Sequence, residues 1–247
     1  MLALLRVLQL SGLVGLHAAA GSASSSLVSG GGSSVHHHRR RAQMMADGPR
    51  RFKIAPPADS GAAPPAPGSD GVWYVADFGA KGDNASDATP HFAAALAACA
   101  AAHGGEVVAP AGLYRFEGNL SVPEGCCLSG SYKSVPGDPL GTPPSGTVLM
   151  PTGGRGTSCD VPLTSPNNGV PCSDAFITLA ADATVRGSII FYPEQETKAR
   201  PVPYPWSIFM AGDNSGVTDL ECLNCWNAIA AVGAGRHYIA VSDATVL

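Results

Sequence analysis

The sequence predicts an all-β domain made of many short strands, with a single helix near its start. After Gly105, ten apolar runs of strand length are separated by Gly, Pro or Asn. The 30 glycines and 21 prolines among 247 residues also suit a turn-rich β architecture. This pattern allows a sandwich, a barrel or a β-solenoid. Two-residue hairpin turns and strict hydrophobic-polar alternation are missing from the runs, which favours parallel stacking over hairpins.

The first elements are readable in order. VWYVADFG, from Val72, predicts a first strand that ends in a turn at Gly79. The next element, a helix, is indicated at both ends: Thr89 suits the N-cap, Pro90 the first helical position, and Gly104 a left-handed C-terminal cap. Three apolar residues recur at helical spacing and form one stripe: Phe92, Leu96 and Cys99.

The segment DFGAKGDNASDATP between strand and helix suggests a metal or phosphate site, since it begins with the D-F-G triplet of protein kinases. No phosphate-binding glycine loop, strand lysine or calcium-loop spacing accompanies it. We therefore expect Asp77, Asp83 and Asp87 to bond backbone amides in turns.

The N-terminal residues differ in character from the rest. Residues 1–23 predict a secretory signal peptide, with an apolar core from Val7 to Leu16; an uncleaved leader or an organelle transit peptide is the alternative. Residues 24–70 are rich in Ser, Gly and Pro, carry a basic run and predict a flexible linker. The domain is expected at 71–247. We expect a secreted protein with no membrane attachment after cleavage.

Charge divides the chain in the same way. Seven basic residues and one acid precede Ile54, whereas the remainder has eight basic and eighteen acidic residues. An acidic body does not attract polyanions at long range, so nucleic acid is excluded as an expected partner.

Seven cysteines cannot all pair within one chain. Cys159 and Cys172 flank a Pro/Asn/Gly-rich loop and are the disulfide candidate, provided that the compartment is oxidising. Cys222 and Cys225 have redox spacing without a thioredoxin-like context, which predicts packing or a local disulfide.

Residues 75–90 (VADFGAKGDNASDATP), the alanine-rich helix and residues 104–130 (GGEVVAPAGLYRFEGNLSVPEGCCLSG) closely resemble the opening of the pectate lyase superfamily domain. This resemblance implies a right-handed parallel β-helix whose open end is capped by the N-terminal helix, with TVRGSIIFYPE and GVTDLECLN as further coils. Members of the group include hydrolases, lyases, epimerases and attachment proteins. The galacturonase motifs N-T-D, G-H-G and R-I-K are absent, which weakens the hydrolase interpretation. The sequence ends near a strand without a cap, so we expect the domain to be incomplete at its C-terminus.

Two groups of residues are candidates for chemistry. Asp219 and Glu221 alternate with Leu220 and Cys222, so on a strand both carboxylates would face outward, able to flank a glycosidic bond or hold calcium. A solvated outer face is the alternative. The resemblance to β-helical lyases implies Arg236 as the residue that removes a proton α to a carboxylate. His237 is a second candidate for the general base.

The segment from Phe191 to Trp206 interrupts the rhythm of short strands and is the candidate binding loop. Its aromatic residues would either present flat faces to sugar rings or pack the loop onto the β-helix. The predicted substrate-binding residues are Tyr192, Glu194, Tyr204 and Trp206. The hypothesis is a secreted protein that cleaves or modifies an acidic, uronate- or rhamnose-containing polysaccharide as a lyase or glycoside hydrolase. A non-catalytic glycan-binding module or an inactive fragment is the alternative.

Two triplets, Asn84-Ala-Ser86 and Asn119-Leu-Ser121, satisfy the N-glycosylation pattern.

Overall fold

The computed structural model describes residues 65–131, 146–157, 175–195, 201–231 and the strand at 238–240. The predicted signal peptide and nearly all of the predicted linker lie outside these ranges. The described residues form a right-handed parallel β-helix: every strand pair is parallel, and the chain passes from one sheet to the next and then returns to the first. The strands do not form a sandwich or a barrel, because none of the sheets closes on itself and the chain winds from sheet to sheet.

Three strips of parallel strands, here called sheets A, B and C, make the walls. Sheet A contains β1 (Val72–Tyr74), β3 (Gly105–Val108), β6 (Cys126–Ser129), the first parts of β9 (Thr184–Phe191) and β11 (Gly216–Leu223), and β13 (Tyr238–Ala240). Sheet B contains β2 (Asp83–Asp87), β4 (Gly112–Phe116), β7 (Thr147–Pro151) and the second parts of β9 and β11. Sheet C contains β5 (Leu120–Val122), β8 (Ala175–Leu179), β10 (Trp206–Met210) and β12 (Asn227–Ala231).

The core is built from ladders of like residues. On sheet A the inward positions of successive coils are in register and buried: Trp73, Val107, Leu128, Val185 and Val217. Each side chain covers the one below it, so the apolar interior is continuous along the axis. This stacking is why the short runs of the sequence need no hairpins: their partners lie one coil away.

Two corners of the coil are turned by residues with left-handed backbone. Gly187 (φ 63°) and Asp219 (φ 48°) lie opposite each other where sheet A meets sheet B, because Arg186 pairs with Thr218 and Ser188 with Leu220. Between sheets C and A, the same conformation stacks in three coils at Gly125, Asp182 and Asn214. Asp and Asn tolerate this conformation better than other residues with a side chain.

Helix α1 (Thr89–Ala101) packs against β1, β3, β5 and β6 at the start of the solenoid, as expected. Its predicted stripe is buried, and Phe92 meets the edges of Tyr114 and Phe116 at ring distances of 5.1 and 4.9 Å. The predicted ends need correction. Ala88, not Thr89, holds the N-cap, and His103 (φ 63°), rather than Gly104, is the first left-handed residue after the helix.

The aspartates before the helix have structural roles. Asp83 Oδ1 accepts hydrogen bonds from the amides of Ala85 and Ser86, both at 2.9 Å, which lowers the pKa of this exposed carboxyl. Asp87 Oδ1 accepts from the amide of Thr89 at 3.0 Å and from that of Glu117 at 3.1 Å. The expected amide bonding is confirmed for these two. It is wrong for Asp77, which is exposed in a 3₁₀ turn (Val75–Phe78) that replaces the second half of the predicted first strand.

Candidate functional site

The predicted carboxylate pair lies in β11, at the corner where sheet A meets sheet B. Leu220 and Cys222 point inward, with exposures of 5% and 6%, while Asp219 is exposed and Glu221 half-buried, as the alternation predicted. The two carboxylates do not share one flat strand face, however. The chain turns at Asp219, and Glu221 lies beyond the turn on the outer side of sheet B, in register with Ile189. The prediction assumed one regular strand through both carboxylates, whereas the left-handed backbone at Asp219 bends the strand between them.

Next to this corner, sheet A carries a polar cluster that sequence reasoning missed. Arg186 Nη2 lies 2.6 Å from Glu106 Oε1, and Arg186 Nε donates to Ser129 Oγ at 3.2 Å. Arg186 pairs in register with Thr218, the residue immediately before Asp219. We call these four residues, Glu106, Ser129, Arg186 and Asp219, the outer polar patch. They come from four successive coils.

Cys127 lies beside this patch in sheet A, paired in register with Glu106 on one side and Thr184 on the other. It is half-buried and unpaired. Burial raises the pKa of its thiol; the positive charge of Arg186 opposes that shift and the negative charge of Glu106 adds to it. A thiol with a raised pKa is a weak nucleophile at neutral pH, so we give Cys127 no chemical role.

The candidate binding loop is anchored inward by its aromatic residues. Tyr192 and Tyr204 are fully buried, with ring centroids 4.6 Å apart, and the Tyr192 hydroxyl lies 3.0 Å from Ser207 Oγ. Burial raises the pKa of Tyr192. A ring without exposed surface cannot stack on a sugar, so the predicted substrate contacts of both tyrosines are wrong. Both tyrosines instead pack the loop onto the β-helix, which was the alternative for these residues.

The other two predicted loop residues differ in position. Trp206 is 7% exposed and packs with Ala175, Phe209 and Ala230 in a cluster separate from the main core, so it too presents no open ring face. Glu194 is half-buried, and its Oε2 lies 3.8 Å from Arg155 Nε in the corresponding connection of the previous coil. The two inserted connections are also joined by a hydrogen bond from the Gly156 amide to the Pro203 carbonyl at 2.8 Å.

Arg236 and His237 lie outside the described residues, as do both members of the predicted Cys159–Cys172 disulfide. The strand directly after Arg236 and His237 pairs Tyr238–Ala240 with Gly216–Thr218. The described chain contains two other disulfides. Cys99–Cys126 ties α1 to β6, and Cys222–Cys225 closes the corner between β11 and β12, as the local alternative predicted.

Within the described ranges, no three His, Cys, Asp or Glu side chains lie together in a way that would hold a metal ion. The calcium ion that the sequence allows stays a prediction. Among the described helices none has both the length and the apolar character needed to cross a membrane.

Comparison with known proteins finds similarity at the N-terminal end of the domain. Residues 73–138 match the family model described as "Rhamnogalacturonase A/epimerase, pectate lyase-like". Over 69 residues the chain is 43% identical to mannuronan C5-epimerase AlgE2 of Azotobacter vinelandii, a stretch that covers 28% of this chain and 7% of that relative. It is 47% identical over 58 residues to AlgE3 of the same organism, covering 24% of this chain and 3% of the relative. The resemblance to the pectate lyase superfamily is confirmed over this span.

Two solved structures are also similar. The A-module of A. vinelandii mannuronan C-5 epimerase AlgE6 aligns with a TM-score of 0.45 and 19% identity, over 68% of this chain and 41% of that one. The AlgE4 A-module aligns with a TM-score of 0.43, the same identity and the same coverage.

Proposed function

We propose that this chain modifies a uronate-containing polysaccharide by chemistry that begins with removal of the proton at C5, at the outer polar patch. The observation that carries the proposal is the 43% identity over 69 residues to a mannuronan C5-epimerase. That stretch is a small part of the relative, so the activity of the whole relative comes to this chain only as a hypothesis. Epimerisation and lyase cleavage share the proposed first step and differ in the second: an epimerase returns a proton to C5, whereas a lyase expels the sugar at C4.

The charge arrangement of the patch supports this chemistry. Arg186 already binds one carboxylate, Glu106, at 2.6 Å. A guanidinium has five N–H donors in a planar fork and can bind a second carboxylate, here that of a uronate. Neutralising that carboxylate acidifies the adjacent C5–H. Asp219, at the next position of the corner, is proposed as the general base.

Arg236 and His237 remain proposed participants from the following coil. His237 is proposed to return a proton on the opposite face of the sugar, as an epimerase requires, because imidazole is the side chain that most readily gains and loses a proton near neutral pH. Calcium is assigned no step. Glycoside hydrolysis is less well supported, because it needs two carboxylates on either side of one bond, and Asp219 and Glu221 are divided by the corner.

The non-catalytic alternative depends on exposed aromatic platforms. Tyr192 and Tyr204 supply none, and Trp206 is 7% exposed. In the described part of the binding loop the polar side chains Glu194 and Gln195 are half-buried, and glycan binding without catalysis has no specific observation in its favour.

The test is incubation of the full chain with mannuronan, alginate and polygalacturonate in D2O. Epimerisation would incorporate solvent deuterium at C5, read by NMR, whereas lyase cleavage would produce an unsaturated, ultraviolet-absorbing end. Parallel reactions with and without a calcium chelator separate a metal requirement from inactivity. A chain that gives neither product with any of these substrates would contradict the proposal.

Two variants and a matched control locate the site. Asp219→Asn should lower the rate by about 100-fold or more if the carboxylate is the base, and Arg186→Gln should do the same through loss of carboxylate neutralisation. Asp213→Asn removes another exposed carboxylate of the same coil, at the opposite corner, and should leave the rate unchanged. Equal effects of Asp213→Asn and Asp219→Asn would place the activity elsewhere.

A further inference from the structure

The two N-x-S triplets of the sequence are not equivalent in the fold. Asn84 is exposed, with left-handed backbone (φ 58°), in β2. Asn119 is half-buried between two buried residues, Gly118, whose amide donates to Thr89 Oγ1 at 3.0 Å, and Leu120, which is 2% exposed. A branched glycan needs open solvent at its attachment point. The folded surface therefore accommodates one at Asn84 far better than at Asn119.

The backbone around Asn84 forms a compact exposed turn. Asp83 Oδ1 accepts from the amides of Ala85 and Ser86, and Asp83 Oδ2 accepts from Ser86 Oγ at 3.0 Å. These bonds are satisfied by Asp83 alone, so the Asn84 side chain is not needed to hold the turn. Attachment of a sugar to its amide nitrogen costs no hydrogen bond within the turn.

The position of β2 gives such a glycan a physical role. Among the described strands, β2 is the last in the order of the combined sheet A and B, and its one partner there is β4. A terminal strand with unpaired backbone groups is a template for association with other chains unless it is charged, irregular or covered. β2 is already irregular between Asp83 and Asp87, and a glycan on Asn84, its second residue, would cover the edge.

We propose that Asn84 carries an N-linked glycan and that this glycan shields the open edge of sheet B. The Asn84 amide nitrogen forms a bond to the anomeric carbon of a lipid-linked oligosaccharide diphosphate. The bond from that carbon to the diphosphate breaks, the lipid diphosphate leaves, and one proton is lost from the amide nitrogen. The proposal presumes entry into a secretory pathway, as the N-terminal leader predicts, and is independent of the proposed polysaccharide chemistry.

The test expresses the full chain behind a well-characterised signal peptide in eukaryotic cells, so that entry into the lumen does not depend on its own leader. The secreted protein is treated with peptide N-glycosidase, which converts a glycosylated Asn to Asp, and the site is read by tandem mass spectrometry. We expect conversion at Asn84, loss of the glycosidase-sensitive mass in Asn84→Gln, and its retention in Asn119→Gln. Secreted chain without a glycan at Asn84 would overturn the proposal, as would a glycan at Asn119 alone.

Ser86 supplies an independent check that does not alter the asparagine. Ser86→Ala destroys the triplet and should abolish the modification, whereas Ser86→Thr preserves it and should retain the glycan. For the shielding role, sedimentation should show more self-association for Asn84→Gln than for Asn119→Gln at the same concentration. Identical sedimentation of glycosylated and unglycosylated chain would refute that role.

Discussion

The Cys99–Cys126 disulfide ties the helical cap to β6, and its loss should cost more stability than loss of Cys222–Cys225, the other disulfide of the described residues. Cys99 is fully buried and Cys126 is 1% exposed, and they are separated by 27 residues. Cys222 and Cys225 are separated by only 3. Because a cross-link stabilises mainly by restricting the unfolded chain, the longer loop is worth more.

The loop-closure relation gives the size of the difference. For the cap disulfide it yields about 3.5 kcal/mol at 25 °C, and for the corner disulfide about 1.6 kcal/mol. Cys99 and Cys126 are both buried, whereas Cys225 is only partly buried, so the packing loss of the cap variant adds to the loop-closure difference of about 2 kcal/mol. With a urea dependence of about 2 kcal/mol/M, the two unfolding midpoints should differ by at least about 1 M.

The assay compares urea unfolding of Cys99→Ala/Cys126→Ala with that of Cys222→Ala/Cys225→Ala. Both variants and their parent carry Cys127→Ser, which removes the unpaired thiol adjacent to Cys126 and prevents exchange. The parent should unfold last and the cap variant first. If the cap variant unfolds at or above the midpoint of the corner variant, the cap is not held by loop closure and the reasoning fails.

Three further predictions concern stability and thiol chemistry. Phe92→Ala removes a fully buried ring and should lower the free energy of unfolding by about 3–5 kcal/mol. Tyr74→Ala, at a residue that is 37% exposed, should lower it by less than about 1 kcal/mol. Similar losses for the two variants in urea unfolding would contradict the observed packing. Gly104→Ala should destabilise by about 1–3 kcal/mol more than Gly71→Ala, since both have positive φ but only the former brings a Cβ within 2.8 Å of a backbone oxygen. The rate of Cys127 alkylation, measured by mass spectrometry at a series of pH values, should rise with a midpoint at higher pH in the folded chain than in the urea-unfolded chain, because burial raises the pKa of the thiol. Coincident midpoints would refute this prediction.

The fold was predictable because its evidence is local. Ten short apolar runs, an apolar stripe at Phe92, Leu96 and Cys99, and turn residues between the runs are all visible without knowing which strands pair. The helix ends were off by one residue, since Asp87 holds the Thr89 amide and so moves the cap to Ala88. The resemblance over the opening residues added the handedness and the capping helix.

The outer polar patch was not predictable, because it depends on register. Successive positions of one sheet A ladder are 21, 57, 32 and 22 residues apart, so no constant repeat exists to be read from the sequence. Inserted connections between coils cause this variation. Glu106 and Arg186 are 80 residues apart in sequence and nothing local marks them as partners. The corner at Asp219 was missed for a related reason: its turn is set by stacking on Gly187 and not by a Gly or Pro of its own.

The left-handed backbone of Asp219 does not by itself mark a catalytic residue. The same conformation recurs at Gly125, Asp182 and Asn214, where the coil simply has to turn, so the corner geometry accounts for it. Asn and Gly both adopt this conformation readily. Asp219→Asn and Asp219→Gly should therefore both leave the solenoid folded, as judged by circular dichroism and urea unfolding, while both slow the proposed proton transfer by about 100-fold or more. Retained activity in either folded variant would reduce Asp219 to a turn residue and refute its proposed role as the base.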